Sequence, residues 1–181
     1  MSLISAESTM RQILEAYPGA QRALFARYHI GGCSSCAFSP EETLESLCRR
    51  NEGLPVEEVI AHLEATHDSD RKILLEPKEL AELLTAPNPP RLLDVRTQEE
   101  HEAVNLPGSL RFTQDLIREI FGTWDKETSI VVYDHTGERG LDSAAYLLGH
   151  GFCNTRALRG GIDAYSLEAD PLVSRYRVEL E

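Results

Sequence analysis

Two stretches of this chain carry residue types at spacings suited to chemistry. The first is Gly31-Gly32-Cys33-Ser34-Ser35-Cys36, which sets two thiols after a double glycine and just ahead of a helix start. Cysteines spaced this way close a small disulfide ring, hold a metal, or pass sulfur between them. A helix N-terminus nearby lowers a thiol pKa and raises its thiolate fraction. The second stretch is Asp134-His135-Thr136-Gly137-Glu138-Arg139-Gly140, directly after the apolar run Ile130-Val131-Val132-Tyr133. It reads as a buried strand entering a tight loop ahead of a helix from Leu141. Ligands of α/β sheets sit at the carboxyl ends of strands, and loop amides converging at a helix N-terminus form an anion cradle. Asp134 lies at such an end.

A carboxylate at that position has two readings. It either fills the cradle, with a pKa lowered by the amide hydrogen bonds, or simply caps the turn that follows. Carboxylates also serve as nucleophiles in aspartyl-phosphate chemistry, but the sequence places no second carboxylate for the magnesium site this needs. His135 is a general base or, on the plainer reading, a solvent-exposed loop histidine without a role. Arg139 either forks onto an anionic ligand or pairs with Glu138 or Asp142.

The elements that position these residues change character along the chain. Residues 1–67 read as wholly helical. Met10, Ile13, Leu14 and Tyr17 share a helix face, and Pro18-Gly19 breaks it. Leu24, Phe25 and Tyr28 carry a second helix up to Gly31-Gly32. Ser39-Pro40-Glu41-Glu42 has the form of a helix start with a capping box, followed by Leu44, Leu47 and Cys48 on the apolar face. Val56, Val59, Ile60 and Leu63 face inward on a fourth helix. Residues 68–71 fall in a polar, aperiodic stretch that reads as a linker. From residue 72 to 181 strands alternate with helices, and Ile130–Tyr133 is the most β-prone run and the expected central strand. That order predicts a small all-α domain followed by an α/β domain with a central, mostly parallel sheet.

Composition narrows the function classes. A hydrophobic content of 41% argues against wholesale disorder. A net charge of −12 opposes nucleic acids and anionic membranes. No apolar run approaches the roughly 20 residues of a membrane helix, and the first residues carry no basic-then-apolar signal. The expectation is a cytoplasmic protein. In a reducing compartment a close cysteine pair points to redox or metal chemistry before a structural staple. A zinc or iron–sulfur site typically takes four ligands. One chain offers Cys33 and Cys36, with His29 as a third, so a metal or cluster at this pair calls for a homodimer that brings both pairs together. Cys48 reads as a buried small hydrophobe, and Cys153 as a structural residue or, on its other reading, a solvent-facing thiol outside the loop.

Two resemblances add to these readings. Residues 72 to 176 resemble the rhodanese family through Leu93-Asp94-Val95-Arg96, Glu99-Glu100-His101, Leu106-Pro107-Gly108-Ser109, the 130–140 strand and loop, Leu147-Leu148-Gly149-His150-Gly151-Phe152 and Leu158-Arg159-Gly160-Gly161-Ile162. The resemblance implies a loop whose first position holds a cysteine that carries sulfane sulfur as a persulfide. Here Asp134 stands at that position, and Gly140 replaces the usual serine or threonine, while Gly137 and Arg139 keep the pattern. A carboxylate cannot form a persulfide, so the resemblance implies a catalytically silent loop used for recognition of a partner or small anion, with Glu138 adding charge that repels thiosulfate. Residues 2–67 resemble a small helical disulfide domain associated with hybrid-cluster proteins, through Met10–Tyr17, Pro18, Leu24-Phe25, His29-Ile30-Gly31-Gly32-Cys33, Cys36, Glu42-Thr43-Leu44 and the Val56–Leu63 helix. That implies a context of redox or sulfur handling. Four readings stay open: a redox accessory with the dithiol Cys33/Cys36, a persulfide carrier using the same pair, a metal-binding module, and an interaction scaffold with inert thiols.

Overall fold

Two of the N-terminal helices begin where a threonine oxygen takes up an amide of the first turn. The computed structural model describes residues 3–31 and 38–176, so Cys33 and Cys36 lie outside the described residues. Helix α1 (Met10–Ala16) opens on a capping box: the Thr9 hydroxyl accepts the Gln12 amide at 3.3 Å and the Gln12 side chain accepts the Thr9 amide at 2.9 Å. Helix α2 (Ala20–Tyr28) ends earlier than the double glycine, because His29 turns left-handed at φ 57°. Its inner face is Ala20, Ala23 and Leu24. Phe25, expected on that face, lies about 100° further round and is 49% exposed.

Ser39-Pro40-Glu41-Glu42 is a turn and not the start of the third helix. Its carbonyls are occupied by the N-terminus of α1, where the Met10 amide donates to Glu42 at 2.8 Å and the Arg11 amide to Pro40 at 2.9 Å. Carbonyls used there cannot also propagate a helix. Helix α3 (Leu44–Arg50) therefore starts at Thr43, whose hydroxyl accepts the Ser46 amide. Met10, Ile13, Leu24, Leu44, Leu47, Cys48, Val59 and Leu63 form the core of this unit.

Residues 68–71, read as a linker, are helical: α4 runs unbroken over Val56–Ile73. The stretch looked aperiodic because its inward contact is an ion pair. Asp70 is 6% exposed and accepts the Arg22 guanidinium at 2.5 Å. Thr66 and Ser69 direct their hydroxyls back to the carbonyls of His62 and Ala65 at 2.9 Å, which hides polar groups within the helix. The Asp70 carboxylate also presses on Gly19, the residue before α2, where a Cβ would overlap it.

The chain divides into two compact units, Met1–Lys72 and Ile73–Glu181. The second runs β1 (Leu74–Leu75), α5 (Pro77–Leu84), β2 (Arg91–Asp94), α6 (Gln98–Ala103), β3 (Leu110–Arg111), α7 (Gln114–Thr123), β4 (Ile130–Tyr133), α8 (Glu138–Gly149), β5 (Thr155–Leu158) and α9 (Gly161–Glu168). The sheet order is β1-β5-β4-β2-β3 and every pairing is parallel. Alternate side chains feed two cores. Leu92, Val131, Tyr133 and Leu158 meet Leu80 of α5 with Ile162 and Tyr165 of α9. Leu93, Ile130, Val132 and Ala157 meet Ile120 of α7 with Leu141, Ala144 and Leu147 of α8. β4 sits mid-sheet with all four residues buried, as its unbroken apolar run requires. Among the described residues no helix is long and apolar enough to cross a membrane.

The Asp70–Gly19 contact yields a non-additive mutation pair. Gly19→Ala should destabilise the helical unit by about 1–3 kcal/mol through overpacking. The same substitution in an Asp70→Ala background should cost much less, since the overlapping atom is gone. Chemical denaturation of the four proteins of this cycle checks it, and additive losses would show that the contact does not govern the site.

Candidate functional site

Asp134 directly follows β4, with its side chain turned into the protein, 3% exposed. One carboxylate oxygen accepts the Gly137 amide at 2.6 Å and the other accepts the Arg139 amide at 3.0 Å. Filling the cradle and capping the turn are thus one and the same set of contacts. The contacts also explain why α8 begins at Glu138 and not at Leu141: the carboxylate satisfies amides of the turn and of the first helical residues, so the helix can start that early. Gly140 lies inside this first turn, and a Cβ there would approach the Asp134 carboxylate to 3.3 Å.

The expected lowering of the Asp134 pKa is not what the site produces. Burial pushes this carboxyl above its ordinary value, and the amides of Gly137, Arg139 and Gly140 pull it down without prevailing. Amide bonding and a raised pKa coexist because no cation reaches the carboxylate among its described hydrogen-bond partners.

The loop is braced from the other side by the start of α9. The Ile162 amide donates to the Asp134 carbonyl at 2.9 Å and the Asp163 amide to the His135 carbonyl at 3.2 Å. This demands backbone-to-backbone packing. A Cβ on Gly161, which adopts φ +59°, would stand 2.5 Å from the Asp134 and His135 backbones, and one on Gly137 would stand 2.7 Å from the Gly160 nitrogen.

The remaining loop residues face outward. Thr136, Glu138 and Arg139 are exposed. The Arg139 guanidinium donates to the Val95 carbonyl at 3.1 Å, a partner not foreseen beside Glu138 and Asp142. His135 is not the exposed residue expected. It is half-buried, with its ring 4.6 Å from that of Tyr176 and its Nδ1 shielded without a hydrogen-bond partner.

Beside the loop lies a polar network that sequence reasoning missed as a site, although Asp94, Arg96 and His101 stood in recognised motifs. Arg96 grips Asp94 with two bonds, Nε to Oδ1 at 2.9 Å and NH2 to Oδ2 at 2.6 Å, and both side chains are almost fully buried. His101 Nδ1 lies 2.7 Å from the same carboxylate. Arg96 donates further to the Val104 carbonyl and the Tyr176 hydroxyl, each at 2.7 Å, and the Tyr176 hydroxyl donates to Glu100 at 2.9 Å. Burial alone would raise the Asp94 carboxyl, but the bonds from Arg96 and His101 outweigh it and hold Asp94 below the usual range. Burial likewise opposes the Arg96 charge, and the pairing with Asp94 and Tyr176 pushes its pKa up instead. Tyr133, whose hydroxyl donates to Ser109 at 2.8 Å, is pushed by burial up to about 12.

The two described cysteines stand apart from this site. Cys48 is buried as expected, and burial pushes its thiol up. Cys153 is exposed, the solvent-facing one of its two readings, because it lies in the turn before β5. Its thiol donates to the Glu127 carboxylate at 3.0 Å, which pushes its pKa up and keeps it a thiol. Among the described residues no group of three or more His, Cys, Asp or Glu is placed to hold a metal ion.

The two buried carboxylates should respond oppositely to pH. Asp94, with a lowered folded pKa, contributes stability above the unfolded carboxylate value of about 3.9, and loses it as pH falls through the folded value. Asp94→Asn should cost about 3–5 kcal/mol at neutral pH by stranding the Arg96 charge, and the gap to wild type should narrow in acid. Denaturation curves across that range measure this. Asp134, with a raised folded pKa, contributes most in acid and loses that contribution as pH rises through the folded value. Carboxyl NMR titration should place it above about 3.9, and a value below that would mean the amides outweigh burial.

The comparisons agree with this architecture. Residues 76–168 match the family model described as "Rhodanese-like domain". A chloroplastic rhodanese-like/PpiC domain-containing protein from Arabidopsis thaliana is 30% identical over 151 residues, covering 77% of this chain and 47% of its own length. The chain therefore spans about half of that relative. A sulfurtransferase from Allochromatium vinosum is 31% identical over 83 residues, covering 46% of this chain and 78% of its own. A human single-domain sulfurtransferase structure is 22% identical with a TM-score of 0.47, covering 53% of this chain and 96% of that one. From the family match and the sulfurtransferase relative, this chain belongs to the rhodanese-like domain family.

Proposed function

We propose that this chain is a sulfur- or redox-handling accessory protein of a reducing compartment such as the cytoplasm. Its rhodanese-like unit recognises a partner or a small anion and is silent in catalysis, while Cys33 and Cys36 carry the exchange chemistry. The observation that supports this is the Asp134 carboxylate, bonded to the Gly137 and Arg139 amides. In the family, the first loop position is a cysteine that takes up sulfane sulfur. A carboxylate oxygen offers no thiolate to do so, and it holds the Gly137 and Arg139 amides that would otherwise face a sulfur at this position. The sulfurtransferase name of one relative supports the sulfur context.

The dithiol chemistry is ordinary exchange. The Cys33 thiolate attacks a partner's disulfide, releasing one partner thiolate and forming a mixed disulfide. Cys36 then attacks the Cys33 sulfur, which forms the Cys33–Cys36 bond and releases the second partner thiol. The partner disulfide is the oxidant and leaves as a dithiol. The likeness of residues 2–67 to a disulfide domain associated with hybrid-cluster proteins supports this half of the reading.

The test combines thiosulfate loading, cyanide as acceptor, and intact mass with peptide mapping. Wild type should gain no sulfur within residues 73–176 and form thiocyanate only at background. Asp134→Cys should gain one sulfur atom at position 134, because the amide cradle is already built. Sulfur on the rhodanese-like unit of wild type would overturn catalytic silence. A reversible Cys33–Cys36 disulfide supports the redox role, sulfur loading lost in Cys33→Ser supports a persulfide carrier, and inert thiols would overturn the dithiol half.

A further inference from the structure

After α9 the chain turns back across the rhodanese-like unit, and its anchors lie on both sides of the Asp134 loop. Asp170 starts the turn, accepting the Leu172 amide on its side chain at 3.0 Å and the Val173 amide on its carbonyl at 3.1 Å. Val173, 8% exposed, enters the core layer that holds Leu158, Ile162 and Tyr165, and its carbonyl accepts the buried Ser166 hydroxyl. Arg175 forks onto Asp163 in the first turn of α9, at 2.7 and 3.0 Å. These anchors belong to the helix that follows β5. The next residue, Tyr176, is held on the β2 side, between Arg96 and Glu100. In the sheet, β4 lies between β5 and β2. The segment therefore crosses the carboxyl edge of the sheet at the end of β4, and the Tyr176 ring packs on His135 on the way.

We propose that residues 171–176 form an autoinhibitory strap over the mouth of the 134–140 loop, so that a partner or small anion gains access to the loop only when Tyr176 lifts off His135. This rests on the reading of that loop as a recognition site. The strap has the character of a releasable element. Leu172 is 91% exposed, and the Arg175–Asp163 pair is partly exposed and so contributes little. Its firm contacts reduce to one buried valine and one bridging phenol. The His135 ring on which the phenol packs keeps a polar atom, Nδ1, that is shielded and without a hydrogen-bond partner. Lifting Tyr176 lets that nitrogen bond to water or to a ligand at the moment the loop opens. Closed, the strap joins the loop to the Asp94–Arg96 network. Open, it leaves that network intact, because Arg96 retains Asp94 and the Val104 carbonyl.

The experiment compares the full chain with Tyr176→Phe, Tyr176→Ala, and a chain ending after Asp170. Two readouts are used. One is amide hydrogen exchange at residues 135–138. The other is the rate at which iodoacetamide alkylates the thiol introduced by Asp134→Cys, with each strap change made in that background and the site assigned by peptide mapping. Removing the strap or the Tyr176 ring should speed both by roughly tenfold, with Tyr176→Phe between, while exchange within β4 stays unchanged. Equal rates in all proteins would overturn the strap. Acceleration spread equally over β4 would overturn it too, since that reports loss of the whole unit. Sulfate titration of the opened protein with Asp134 intact then separates the two readings. Shifts at the 135–138 amides uphold both, while an open loop blind to sulfate upholds the strap and overturns the anion role of the loop.

Discussion

A carboxylate removed from water must find hydrogen-bond donors, and much of the rhodanese-like unit follows from where Asp134 finds them. Its donors are the backbone amides of Gly137 and Arg139. To bring those amides round, the chain turns tightly at Gly137 with φ +101° and starts α8 at once. To leave room, residue 140 has no side chain. The loop so formed exposes its own carbonyls at Asp134 and His135, and the first amides of α9 take them up. One buried charge thus dictates a turn, a helix start, a missing side chain and the docking of a second helix.

On the neighbouring strand β2 the same unit buries another carboxylate and satisfies it differently. Asp94 has a guanidinium gripping both oxygens and a histidine beside it. Burial costs both acids, but only Asp94 is repaid by a full positive charge. The site therefore contains one acid held firmly ionised and one whose ionisation remains costly. The first builds the platform that carries Arg96, Glu100 and Tyr176, and the second fills the cradle above β4.

Much of this could be seen in the sequence, for identifiable reasons. The apolar run Ile130–Tyr133 announced a strand buried on both faces, and the alternation of strands and helices announced a parallel sheet. The Asp134 loop stood out because its glycines and arginine kept a recognisable spacing. What escaped notice was long-range or hidden in polar residues. Asp70 lies in a stretch without apolar period, and its inward contact is with Arg22, far away in sequence. Tyr176 lies near the end of the chain, and only the fold brings it to His135. The cap expected at Ser39 moved to Thr43 because the turn's carbonyls serve α1, a tertiary demand invisible to local pattern. The raised pKa of Asp134 escapes the sequence for a similar reason: a loop pattern reveals the amide donors but not the depth of burial.

The contact of Gly137 with Gly160 and Gly161 has a consequence for how such a protein can change over time. Two backbones meet there with no side chain between them. A joint of this kind has no adjustable part: any added carbon pushes the turn and the helix apart together. Variation in what this surface accepts is thereby confined to the outward residues Thr136, Glu138 and Arg139 and to His135 with the Tyr176 ring that packs on it. The loop can be re-dressed but not re-cut.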